Sequence, residues 1–179
     1  MLIIDSHSHF EPRLLNERDI INRMQNHNIT KIAFMSKVTE EPLYKKSNLL
    51  MNIQKTILTN NNLRFIAKEL DKSFHKNQGE WNPWYKKILG NKKNYKILLK
   101  PDNKSVFNLV SKHPKKFYGW LFLNPLISNY LDEFNLYKNH INLVGIKVHP
   151  FWHRYDLSYL EKIFRLCRTL NMPIMIDLG

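Results

Sequence analysis

Short apolar runs alternate along the chain with segments whose apolar positions recur at helical spacing, the signature of a parallel α/β fold. Leu2-Ile3-Ile4 is fully apolar and ends in polar residues, as a strand buried on both faces would. Residues 14 to 27 follow with Leu14, Leu15, Ile20, Ile21 and Met24 at helical positions, and residues 31 to 36 (KIAFMS) read as a second strand. A helix around 105 to 113 turns Val106, Leu109 and Val110 to one side and stops at His113-Pro114, because proline disfavours helix in the residue before it. Residues 118 to 123 (YGWLFL) form the third strand, and 128 to 140 a helix carrying Tyr130, Leu131, Phe134 and Leu136. Residues 143 to 148 (LVGIKV) give a fourth strand, stopped by His149-Pro150. Asp156 or Ser158 then caps a helix whose buried face is Tyr159, Leu160, Ile163, Phe164, Cys167 and Leu170. Residues 173 to 178 (PIMIDL) make the fifth strand.

Residues 37 to 104 break this rhythm. The pattern predicts one helix near 47 to 59, another near 62 to 72, and a loop around Trp81-Asn82-Pro83-Trp84. The segment is expected to be a helical insertion after strand two, within a single domain spanning 1 to 179. A long excursion after a barrel strand lies on the face where barrel active sites are built, so the segment is a candidate substrate lid. The alternative is a peripheral insertion with Trp81 and Trp84 in a minor core.

Composition narrows the class. Eight Pro and five Gly exclude a collagen-like or Gly-rich chain. No run of about 18 apolar residues exists, which excludes a membrane span. The opening residues lack the basic flank and apolar length of a signal peptide. Cys167, the one cysteine, has no internal partner, and a reducing cytoplasmic compartment fits. The net charge of +13 thickens between Lys86 and Lys116. It admits a polyanion surface with Trp81, Trp84 and Tyr85 as stacking residues. The lysines form no tight run, however, and nucleic acid is not the expected partner.

Asp5-Ser6-His7-Ser8-His9 carries the most chemistry. Alternate residues of a regular strand share a face, so Asp5, His7 and His9 are expected to project together. Two imidazoles two residues apart can grip one divalent ion from a strand end. A neighbouring carboxylate can bind the ion or orient a histidine from behind. Taken alone, His-x-His is a weak signal; directly after an apolar strand it is a strong one. Lys147 sits inside an apolar strand, where an ammonium is costly unless paired. His153 and Arg154 lie after the fourth strand and could hold a substrate carboxylate. His27, His75 and His140 fall in contexts expected to be exposed.

The Asp5-to-His9 segment resembles the D-x-H-x-H motif that ends the first barrel strand of the amidohydrolase superfamily. Residues 111 to 119 (SKHPKKFYG) resemble its entry to strand three, and Leu123-Asn124-Pro125 the exit. Residues 144 to 150 (VGIKVHP) resemble strand four, and 171 to 179 (NMPIMIDLG) strand five. The motifs occur in order across nearly the whole chain and point to the amidohydrolase-related branch of TIM-barrel metal-dependent hydrolases, which also includes decarboxylases.

The resemblance implies a TIM-barrel-like (β/α) fold in which about five of eight β/α units are present. It implies a divalent metal, zinc first with manganese or iron as alternatives, held by His7, His9 and Asp177. Asp177 stands where the family carries a metal-binding histidine. Lys147 and Asp177 become the catalytic candidates, His149, His153 and Arg154 the substrate contacts, and Asp5 a support behind the ligands. The implied activity is hydrolysis of a small-molecule amide, ester or carboxylate by a metal-activated water. The family's later histidine and its strand-eight aspartate have no counterpart here. That raises three expectations: a truncated product, a partner chain completing the barrel, or a homodimer. The rival readings are a fragment that binds metal without turnover and a basic nucleic-acid-binding protein.

Overall fold

The computed structural model of the chain describes residues 3–40, 80–81 and 95–177. The chain forms two compact units, Met1–Val38 with Leu98–Gly179, and Thr39–Ile97. In the second, the two-residue strands β3 (Glu80–Trp81) and β4 (Tyr95–Lys96) pair antiparallel, and Thr39 bridges Ile97. The helices expected near 47 to 59 and 62 to 72, and residues 82 to 84 of the expected Trp81-to-Trp84 loop, lie outside the described residues, whereas Trp81 ends β3.

The larger unit alternates strands and helices: β1 (Ile4–Phe10), α1 (Glu17–Asn26), β2 (Lys31–Ser36), α2 (Asn103–Lys112), β5 (Phe117–Phe122), α3 (Tyr130–Tyr137) and β6 (Leu143–Val148). A short helix α4 (Pro150–His153), a 3₁₀ turn (Leu157–Leu160), α5 (Glu161–Thr169) and β7 (Ile174–Ile176) follow. The five long-unit strands are all parallel, in the order β1-β2-β5-β6-β7. Each new strand joins the same edge, which is the winding of a (β/α) barrel; a doubly wound sheet would reverse its order part-way. The fold is thus an α/β partial TIM-barrel-like sheet, as the sequence pattern predicts.

Side chains divide between two layers. On the helix side, Ile20 and Met24 of α1 and Val106, Leu109 and Val110 of α2 bury against Phe10, Ile32, Phe34 and Phe117. Further along, Phe107, Phe134, Ile163 and Cys167 cover Leu121, Ile146 and Val148. Each large side chain so buried contributes about 1.5–3 kcal/mol. The opposite face carries a smaller layer of Ala33, Met35 and Trp120, with Tyr118, Val144 and Met175 against it. Gly145 is required there by close approach: a Cβ would stand 2.3 Å from the Pro173 carbonyl oxygen.

Helix starts are set by capping side chains. Asn16 accepts from the Asp19 N–H at 2.9 Å, so α1 begins three residues later than its first leucine suggests. Asp102 accepts from the Ser105 N–H at 3.2 Å, so α2 begins earlier than its apolar face suggests. Among the described residues, no helix is long and apolar enough to cross a membrane.

Candidate functional site

The carboxyl ends of β1, β6 and β7 converge. Opposite Ile32 on β2 stands Asp5, and opposite Phe34 stands Ser8, so β1 carries one residue more than its partner across this stretch. Such a bulge shifts the side-chain alternation by one. Residues paired in register share a face, which places Asp5 with Ile32 on the helix side and His9 with Met35 on the inner side. The regular alternation expected for Asp5, His7 and His9 therefore does not hold. Instead, the Asp5 carboxylate stays local, accepting from the His7 N–H at 3.1 Å and from the Ser8 hydroxyl. Trp120 Nε1–H donates to the Ser6 carbonyl at 3.0 Å.

Asp177, immediately after β7, is the hub. Its Oδ2 lies 2.8 Å from Lys147 Nζ, 3.5 Å from His149 Nε2 and 4.0 Å from His7 Nε2. The rings of His7 and His9 are 5.6 Å apart between centroids. His9 Nδ1 lies 2.8 Å from the Ser36 carbonyl, which can only accept. Its proton is therefore on Nδ1, leaving the Nε2 lone pair for a ligand. In His149 the polarity is reversed: Nδ1 accepts from the Trp152 N–H at 3.3 Å, so the neutral ring presents Nε2–H towards Asp177.

Burial tunes both rings. It pushes His149 down to about 3, with Lys147 adding to the effect and Asp177 opposing it. His9 is also held below the usual imidazole value, again chiefly by burial, with the Ser36 carbonyl opposing. His9 keeps an exposed side, and the nearby His7 and Lys147 add to the lowering. Both rings are neutral near pH 7, the state in which imidazole binds metal.

Two imidazoles and a carboxylate are the donor set of many zinc, manganese and iron sites. Two donors on one such ion stand about 3–3.5 Å apart, given bonds of about 2.0–2.2 Å. The 4.0 Å from His7 to Asp177 is slightly longer. Among the described residues, no three His, Cys, Asp or Glu side chains already stand close enough to hold an ion. The donors are of the kind a divalent metal takes, and they lie near one another at the strand ends without forming a coordination shell.

Other predicted residues fall differently. Lys147, a predicted catalytic candidate, is fully enclosed and paired with Asp177. His153 was expected in an open loop but is only 1% exposed, its Nε2 3.0 Å from the Leu98 carbonyl and its ring against Phe122. Arg154 remains exposed and ends α4 with φ 52°, in the left-handed region. His149, a predicted substrate contact, lies beside Asp177 in the cluster. His140 is half-buried against Phe107 and within 3.0 Å of the Ser111 hydroxyl, whereas exposure was expected. His27 is exposed at the end of α1, and His75 lies outside the described residues. Sequence reasoning missed Trp120 and the Ser36 carbonyl altogether.

No family model matches the chain, and no curated protein matches its sequence. Among solved structures, it is similar to a 5-carboxyvanillate decarboxylase from Novosphingobium aromaticivorans, crystallised with manganese and 3-methoxy-4-hydroxy-5-nitrobenzoic acid. The identity is 11% and the TM-score 0.47, over 98% of this chain and 50% of that one. The chain thus spans about half the length of that enzyme. The class its own fold and site define is a parallel (β/α) barrel-type sheet with a His-Asp-Lys cluster at the carboxyl ends of its strands.

Proposed function

We propose that the chain carries the metal-holding part of an amidohydrolase-superfamily enzyme acting on a small-molecule amide, ester or carboxylate. The observation that carries this reading is the meeting of His7, Lys147 and His149 around one oxygen of Asp177, with His9 on the same face. His7, His9 and Asp177 would hold a divalent ion, zinc or manganese. When bound, that ion supplies Lewis acidity and a water of lowered pKa.

The remaining groups orient the donors. Lys147 fixes the Asp177 carboxylate from behind through a 2.8 Å ion pair. His149 aims an N–H at the same oxygen, and Ser36 fixes the His9 tautomer. A carboxylic-acid substrate places the same cluster in decarboxylation, an amide or ester in hydrolysis; the donor set serves both.

Cobalt substitution tests the reading. One equivalent of Co(II) is expected to give the visible absorption of a low-coordinate nitrogen–oxygen site in the wild type. Loss of that band in His7→Ala and Asp177→Ala supports the assignment, and a wild-type spectrum like that of aqueous cobalt overturns it.

A further inference from the structure

The bulge that turns His9 inward is tied down from two strands away, and we infer that Trp120 is the positioning residue for the His7–His9 pair. The inference rests on the metal-site reading above. Trp120 stands on β5, is 8% exposed, and packs in the inner layer with Ala33 and Met35 of β2. Its indole N–H crosses β2 and reaches the Ser6 carbonyl of β1 at 3.0 Å. Ser6 lies in the stretch where β1 has its extra residue.

A bulge leaves backbone groups outside the ladder, and here the Ser6 carbonyl takes its donor from the indole instead. Indole N–H is a donor only, so the pairing has one polarity. Two small residues give the ring its room. Ala33 is the smaller of the two β2 residues in the layer it packs in, and Gly145 lies opposite Trp120 on β6. A Cβ on Gly145 would stand 3.0 Å from Trp120 Cζ3.

The consequence is a choice of face. Were β1 regular from Asp5 onward, His7 and His9 would both share the face of Ile32 and Phe34, against the helices and away from Asp177. With the bulge, His9 shares the face of Met35, and His7 comes to 4.0 Å from Asp177. Trp120 stabilises the second arrangement without being a ligand.

The test replaces Trp120 by Phe, and separately by 3-benzothienylalanine, which keeps the bicyclic shape with sulfur in place of N–H. Two readouts are needed: zinc affinity by competition with a chromophoric chelator, and ¹⁵N imidazole spectra of the metal-free proteins. The wild type is expected to show His9 as the Nδ1–H tautomer. The benzothienyl variant should lose that signature and bind zinc roughly 10- to 100-fold more weakly, the usual effect of removing an outer support. Wild-type tautomer and affinity in that variant would overturn the inference. A wild type that takes up no zinc would overturn the metal reading instead, and the metal-free spectra would still decide the role of Trp120.

Discussion

His7 Nε2 lies 4.0 Å from Asp177 Oδ2, although His7 is on β1 and Asp177 directly follows β7, strands at opposite edges of a five-stranded sheet. In a flat sheet those strands would stand about 19 Å apart, at about 4.8 Å per neighbour. Only strong curling closes that distance. The contact is therefore a property of the barrel-type winding itself, and it brings the first and last strands of the sheet to one site.

The buried ion pair sets a clear expectation for stability. Lys147 is fully enclosed, whereas a quarter of the Asp177 side chain is open. Asp177→Ala leaves an ammonium buried without its partner and should destabilise the protein by about 3 kcal/mol, the low end for a broken buried pair. The double substitution Lys147→Met/Asp177→Leu should recover most of this. Urea unfolding checks both, with an unchanged m-value showing that the same fold is compared.

The pH dependence follows from His149. Its folded value of about 3 lies below the unfolded 6.5, so the unfolded chain takes the proton first as pH falls. This contribution to stability is fully present above pH 6.5 and is lost as pH falls from there towards 3. His9 and His153 shift in the same direction, also by burial. In metal-free protein, His149→Gln should flatten the slope between pH 6 and 4 by up to about 1.4 kcal/mol per pH unit. An identical slope in the variant would show that His149 titrates normally.

Two glycines should rank in a fixed order. A Cβ at Gly145 meets the Pro173 backbone oxygen at 2.3 Å, whereas one at Gly119 meets the edge of the Phe107 ring at 2.7 Å. A ring can tilt; a neighbouring strand's backbone cannot move without shifting β7. Gly119→Ala should cost about 1–3 kcal/mol, as overpacking does, and Gly145→Ala more. Thermal midpoints measured side by side give the ranking.

Much of the fold was legible because parallel strands are buried on both faces and read as apolar runs. Residues 143 to 148 were read with the bounds observed, as were 31 to 36. Helix starts were displaced because Asn16 and Asp102 decide them through capping bonds rather than through the apolar face. The short helix α4 was missed although its signal was present: His149 caps it and Pro150 occupies its first position. Read only as the stop of the fourth strand, that pair hid the burial of His153. The bulge in β1 left no trace in Asp5-Ser6-His7-Ser8-His9, because its stabilising donor is 114 residues away. Lys147 was legible as a paired lysine on physical grounds, and its partner, Asp177, was named as a ligand and catalytic candidate but not as that partner.

Metal content per chain in a monodisperse gel-filtration fraction, wild type beside His7→Ala/His9→Ala, tests the central claim most directly. The site described here predicts about one equivalent of zinc, manganese or iron in the wild type and none in the double variant, with both proteins folded. A well-folded wild type that stays free of metal after reloading, or a double variant that retains it, would contradict the account.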